Sequence, residues 1–163
     1  MVKSSTTLTH KRVLSVAAPI VLANATIPIL GAVDTAVVGQ MGLAPPIGAV
    51  GIGAIIISAI YWLFGFLRMG TTGLTAQAIG SKDDLETSAL LVRGILIGLS
   101  AGLVLILTQV PLFGAALGLA PASLEVESLA KEYLQIRVYS APAAIAIFGI
   151  TGWLIANERT RAV

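Results

Sequence analysis

The stretch "VLSVAAPIVLANATIPILGAVDTAVVGQ", residues 13–40, holds a single charged side chain, Asp34. A helix needs about 20 consecutive, mostly apolar residues to cross the hydrocarbon core of a bilayer, and this run exceeds that length. Asp34 is also the only Asp, Glu, Lys, Arg or His between Val13 and Leu67. The run reads as helix, because a strand in a membrane barrel would alternate apolar and polar residues. The same character extends to the whole chain, which is 56% hydrophobic and 11% charged, with a mean hydropathy of +0.95. An average soluble domain carries about 25% charged residues. So few charges cannot cover a surface facing water, and the chain reads as an integral membrane protein.

Working outward, three further runs have the length and apolar character of spans. The expected fold is all-α, a polytopic membrane bundle of four transmembrane helices at about 13–40, 46–78, 89–112 and 129–156. Residues 1–12, "MVKSSTTLTHKR", form a polar, basic tail, and 13–163 form the transmembrane domain. A signal peptide would follow such a tail with an apolar core of only about 7–15 residues. The breaks between runs are "GLAPP" (42–46), "GSKDDLE" (80–86) and "PLFGAALGLAPASLEVE" (111–127). Lys3, Lys11 and Arg12 precede the first span, Lys82 and Arg93 flank the second break, and Arg159 and Arg161 follow the last span. The first and third breaks have no Lys or Arg. Cytoplasmic loops are enriched in these residues, so both termini are expected on the cytoplasmic side of a cell (inner) membrane.

Composition also excludes function classes. With no cysteine, there is no disulfide framework, thiolate metal site or cysteine nucleophile. The single histidine, His10, lies in the polar tail, so no histidine pair can hold a metal. The formal charge is only +2 and the basic residues are scattered, which leaves no footprint for nucleic acid. No phosphate-cradling loop and no nucleophile with a base appear. The glycines of "GAVGIGA" (48–54) lack the flanking strand of a dinucleotide site. No enzyme activity and no cofactor are expected.

The residues that carry chemistry are therefore the polar ones inside the spans. Asp34 lies roughly 10 Å to the outer side of the bilayer midplane at 1.5 Å per residue. A charged carboxyl there costs up to about 3 kcal/mol on insertion scales. It must face protein or water, or carry a proton. One reading is a buried acid that only ties helices together, and the other is an exchangeable proton or cation site. Arg137 sits at a similar depth in the fourth span. Two readings stay open for it: a salt bridge to Asp34, or snorkelling toward the outer interface. Arg68, near the inner end of the second span, is expected to snorkel. Pro19, Pro28 and Pro142 favour kinks, and Asn24, Thr35 and Tyr139 complete the candidate cavity or helix-bending set. Gly94, Gly98 and Gly102, four apart in "GILIGLSAG", make a smooth stripe against which another helix can pack.

These features together resemble the multidrug and toxic-compound extrusion (MATE) transporters. "AAPIVLANATIPILGAVDTAVVGQMG" (17–42), with Pro19, Asp34, Gly39 and Gly42, is similar to the first helix of that family. "GAVGIG" (48–53) is similar to the start of its second helix. "FLRMGTTGLTAQAIG" (66–80) and "YLQIRVYSAPAAIAIFGITGWL" (133–154) resemble its DinF-like branch more closely still. The resemblance implies a twelve-helix transporter of two six-helix lobes that exports organic cations and other amphiphiles, driven by a proton or sodium gradient. It assigns Asp34 to the cation-coupling site of the N-terminal lobe and Pro19 to a bend that responds to protonation in some members. It also implies that further polar groups of that site come from helices five and six. The chain ends in "NERTRAV" (157–163), where a fifth helix would begin. The expectation is an N-terminal fragment, inactive alone, whose partners are the lipid bilayer, the missing helices 5–12 and a small-molecule substrate of the full-length parent. The alternative is a complete four-helix membrane subunit with a structural or regulatory role, in which Asp34 and Arg137 pair across an interface.

Overall fold

The computed structural model describes residues 10–40, 42–120 and 122–159. Helices, with no strand among the described residues, run in the order α1 (His10–Gly39), α2 (Ala44–Leu63), α3 (Gly65–Gly80), α4 (Asp84–Leu107), α5 (Gln109–Leu119), α6 (Leu124–Arg137) and α7 (Ala141–Ala156). A short 3-10 turn, Val138–Ser140, joins α6 to α7. Among the described residues three segments are long and apolar enough to cross a membrane: Ala44–Gly80, Asp84–Leu107 and Leu124–Ala156. The 30 residues of α1 extend about 45 Å, more than the roughly 30 Å of a hydrocarbon core. The fold is an all-α membrane helix bundle.

Local chemistry sets the helix boundaries. Gly42 adopts a left-handed φ of 67° in the turn after α1, a conformation that costs glycine little. Pro45 and Pro46 then fall in the first turn of α2, where a missing N–H removes no helical bond. Asp83 caps α4 by accepting a hydrogen bond from the Glu86 N–H at 2.9 Å, and Asp84 and Glu86 favour the positive end of the helix dipole. Ser123 caps α6 by accepting from the Val126 N–H, and Glu127 reaches back to the Ala122 N–H.

Three of the expected spans are broken along their length, the third span at Thr108 between α4 and α5. The second divides at Phe64, whose N–H bonds to the Tyr61 carbonyl before α3 starts at Gly65. The fourth divides ahead of Pro142. A proline there has no N–H to offer the Val138 carbonyl, and its ring crowds that carbonyl. The chain tightens into the 3-10 turn, the Ala141 N–H bonds to Val138 instead, and Pro142 opens α7. The third break differs from its reading as a loop. Residues 109–119 form α5, whose buried Phe113 and Leu117 join the core. Pro111 is tolerated in its first turn, and the Ala and Leu that follow are strong helix formers.

The fourth span lies at the centre of the bundle. Its α6 half packs on α2 and its α7 half on α4 and α3. Leu134, Val138 and Ile145 are fully buried there, with Ile57, Ala49 and Phe113 around them. The glycine stripe of α4 faces α7. A Cβ at Gly98 would stand 2.5 Å from the Ala146 Cα, and one at Gly102 would meet the Pro142 backbone. Trp153 Nε1 donates to the Thr87 carbonyl at 2.8 Å, which ties α7 to α4, and the single proton of Thr72 Oγ1 is shared between the Arg68 carbonyl of its own helix at 2.8 Å and the Gly152 carbonyl of α7 at 3.1 Å. Large apolar side chains such as Trp62, Leu96, Leu107 and Ile147 stay exposed on the outside, as suits a surface that meets lipid.

Candidate functional site

Tyr133 and Arg137 are four residues apart on α6, so their side chains share one face of it. That face meets α1 at Asp34. The Tyr133 hydroxyl donates to Asp34 Oδ2 at 3.4 Å, and Arg137 Nη2 lies 3.9 Å from the same oxygen. Both distances are long for their type, since hydrogen bonds to an ionised carboxylate usually fall below about 3 Å. The side chains of Arg137 and Asp34 are 34% and 27% exposed. The carboxyl is thus held on one oxygen by two donors, loosely, in a half-open position.

The floor of the site is α2. A Cβ at Gly53 would stand 2.5 Å from Tyr133 Cδ1, so the absence of a side chain lets the aromatic ring lie against the α2 backbone. Further along α2, Tyr61 reaches the 3-10 turn, its hydroxyl 3.2 Å from Ser140 Oγ. Ser140 Oγ gives its proton to the Arg137 carbonyl at 2.7 Å. A hydroxyl has one proton to give, so Tyr61 is the donor to Ser140. A hydrogen-bonded path therefore joins α2, next to its break at Phe64, to the residue that pairs with Asp34.

A guanidinium remains protonated in proteins, so an ionised Asp34 has a compensating charge from another helix. When Asp34 is protonated, that attraction is lost and Tyr133 can reverse its hydrogen bond, because a phenol both donates and accepts. Among the described residues no three His, Cys, Asp or Glu gather to hold a metal ion.

The MatE family model matches residues 19–163. The chain belongs to the MatE family. DNA damage-inducible protein F of Escherichia coli (strain K12) is 39% identical over 156 residues, which cover 96% of this chain and 34% of that protein. Protein DETOXIFICATION 44, chloroplastic, of Arabidopsis thaliana is 32% identical over 86% of this chain and 29% of that protein. Protein DETOXIFICATION 47, chloroplastic, of the same plant is 29% identical over 71% and 21% respectively. The chain thus spans between about a fifth and about a third of the length of these relatives. No solved structure matches it. The MatE family is one of transporters rather than enzymes, and the 39% identity agrees with the DinF-like resemblance.

Of the residues singled out in the sequence, the fold of this MatE chain brings Asp34 and Arg137 together. Thr35 is exposed, and its hydroxyl donates to the Gly31 carbonyl one turn back at 2.9 Å. Tyr139 is exposed on another side of the fourth span. There it lines a shallow open groove with Gln109, Val110, Glu132, Gln135 and Ile136, away from the carboxyl. Pro19, Asn24 and Pro28 fall on α1, and their side chains lie outside the described residues. Tyr133 and Gly53 were not singled out. The four-residue spacing of "YLQIR" (133–137) was the signal that Tyr133 accompanies Arg137.

Proposed function

We propose that this chain is part of a secondary antiporter that exports organic cations or other amphiphilic compounds in exchange for protons or sodium. Asp34 is its cation-coupling residue. The observation that carries the reading is the environment of Asp34: a half-buried carboxyl within a membrane bundle, held loosely by Tyr133 and Arg137 from another helix. Coupling requires a group whose affinity for the driving ion differs between two states of the protein. A carboxyl whose partners can let go meets that requirement, whereas an acid that only ties helices together would be expected in short, fully buried contacts.

The bundle ends support the proposed orientation in the inner membrane. Trp153 bonds to the start of α4, and the Arg159 guanidinium stands 5.9 Å from the Trp153 ring. Lys82, Arg93 and Arg159 therefore lie toward one end, while the first turn of α6 carries Glu125 and Glu127 at the other. A basic end fits the cytoplasm. The alternative of a complete four-helix subunit gains no support from the Asp34–Arg137 pair, because the two meet within one chain.

The test is substrate efflux by the full-length transporter in vesicles, with Asp34→Asn compared to wild type. Asn keeps the size of the side chain but cannot titrate. Loss of gradient-driven efflux at normal abundance is the expected result, and normal efflux by Asp34→Asn would overturn the reading. The 163-residue chain alone is expected to insert without transporting.

A further inference from the structure

We propose that the groove between α5 and α6 holds the headgroup of a membrane phospholipid that carries a primary ammonium. The groove encloses about 470 Å³ between Gln109, Val110, Glu132, Gln135, Ile136 and Tyr139. Small-molecule sites usually measure about 300–1,000 Å³. Its depth follows from counting along α4. Trp153 bonds to the Thr87 carbonyl and carries Arg159 over its ring, which sets Thr87 at the interface of the basic end, where tryptophan collects. A hydrocarbon core of about 30 Å takes up about 20 helical residues. That count from Thr87 arrives at Leu107, where α4 ends. Gln109, the first residue of α5, is thus level with the headgroups of the opposite leaflet. On α6 and the 3-10 turn, the exposed Glu125, Ser128, Glu132, Gln135 and Tyr139 recur every three or four positions as one polar stripe. Acyl chains cannot solvate that stripe, and headgroups can.

The chemistry of the groove selects the headgroup. The Glu132 carboxylate is exposed and has no ion pair or hydrogen bond among the described residues. Gln109 Nε2 donates to the Ile106 carbonyl at 2.9 Å, which leaves the amide oxygen as an acceptor. A carboxylate and an amide oxygen suit a cation that brings N–H donors. A primary ammonium has three, as on lysine, and a quaternary ammonium has none. The exposed ring of Tyr139 adds a face that attracts cations. Lys131, exposed and next to Glu132, puts a positive charge beside the negative one. The pair matches a zwitterion, with ammonium on Glu132 and phosphate toward Lys131. Val110 and Ile136 in the groove, with Leu107 and Leu103 nearer the midplane on α4, leave exposed apolar surface for the acyl chains. Gln109 follows the break at Thr108, and Tyr139 lies in the 3-10 turn, so one headgroup spans both breaks and holds α5 against the fourth span.

The experiment uses the full-length transporter that carries this chain, purified in detergent. Its thermal unfolding is followed as dioleoyl phosphatidylethanolamine or dioleoyl phosphatidylcholine is titrated in. The two lipids differ only at the ammonium. Wild type is expected to bind the ethanolamine lipid about tenfold more tightly, the worth of one charge-assisted hydrogen bond. Glu132→Gln should lose that preference and unfold near the wild-type temperature without lipid, because the side chain is exposed. Glu125→Gln, on the same stripe but outside the groove, should keep the preference. An equal response of wild type to both lipids would overturn the proposal, and it decides alone if Glu132→Gln does not accumulate. A preference that survives Glu132→Gln would overturn it too. Displacement of the ethanolamine lipid by tetraphenylphosphonium would give the groove to a transported solute instead. A Glu132→Cys transporter that resists an impermeant maleimide in lipid-free detergent would show that another part of the protein covers the groove, against the proposal.

Discussion

Gly98 of α4 lies against the backbone of Ala146 of α7, so close that a methyl on Gly98 would stand 2.5 Å from the Ala146 Cα and 2.6 Å from its nitrogen. Backbone cannot move aside as a side-chain tip can. Lipid is as apolar as leucine, so helices in a membrane associate through packing of this kind rather than through the hydrophobic effect. Gly98→Val should therefore force α4 and α7 apart and cost about 1–3 kcal/mol, the usual range for overpacking. Gly114 on α5 meets nothing within 4 Å, and Gly114→Val should be nearly neutral. Thermal unfolding of the two variants in detergent makes the comparison, and equal unfolding temperatures would contradict the packing described.

Topology is open to direct measurement, because the chain has no cysteine. Ser81 lies in the turn between α3 and α4, and Ser128 lies near the start of α6; both are exposed. Single cysteines at these positions should react with a membrane-impermeant maleimide from opposite faces, Ser81 from the cytoplasmic side. Reaction of both from the same face would rule out the arrangement in which α4 and α6 start on opposite sides.

The membrane-bundle class and three long apolar segments were legible in the sequence because run length and the near absence of charge are sufficient signals in a membrane. The glycine stripe was legible for a related reason: three glycines at helical spacing have no use on a lipid face. The break at Phe64 was not legible, since apolar residues continue through it without a proline or a polar cluster; at Thr108 the polar Thr108–Gln109 pair and Pro111 mark a break that the sequence reading placed a few residues later, at Pro111. The α5 helix was hidden by its two glycines and its proline, which suit a turn as well as a short helix with Pro111 in its first turn. Asp34 stood out because a charge in an apolar run has a cost that needs a reason. Tyr133 did not, because a tyrosine in a membrane helix has no such cost. Its role depends on Gly53, a residue eighty positions away that gives no sign of its partner.

Gly53 supports a separate expectation. Gly53→Ala places a methyl where Tyr133 Cδ1 now lies, so the ring must swing off α2 and take its hydroxyl with it. Efflux by the full-length transporter should fall while abundance in the membrane changes little, because the ring has room to move in a half-open site. Gly51→Ala, two positions earlier with nothing within 4 Å, is the control. Equal efflux by the two variants would show that the seat of the ring on α2 does not matter.

Tyr133→Phe tests the hydroxyl itself. Phe keeps the ring, its packing against Gly53 and the shape of α6, and removes one oxygen. In the wild type that oxygen donates to Asp34 Oδ2 at 3.4 Å, a long bond whose removal should cost the fold at the low end of the usual 0.5–1.5 kcal/mol. The transport cycle should suffer more. With Asp34 ionised, Arg137 still compensates the charge, so that state keeps a partner. With Asp34 protonated, the new O–H needs an acceptor, and Arg137 has only donors to offer. Tyr133 is the described group at Asp34 that can serve both states. Tyr133→Phe should therefore slow proton-driven efflux by about fivefold to tenfold, the rate equivalent of one such hydrogen bond, with unfolding temperature and abundance near wild type. Initial efflux rates under an imposed pH gradient, normalised to protein in the membrane, provide the measurement. Unchanged rates would mean that water, rather than Tyr133, serves the protonated carboxyl.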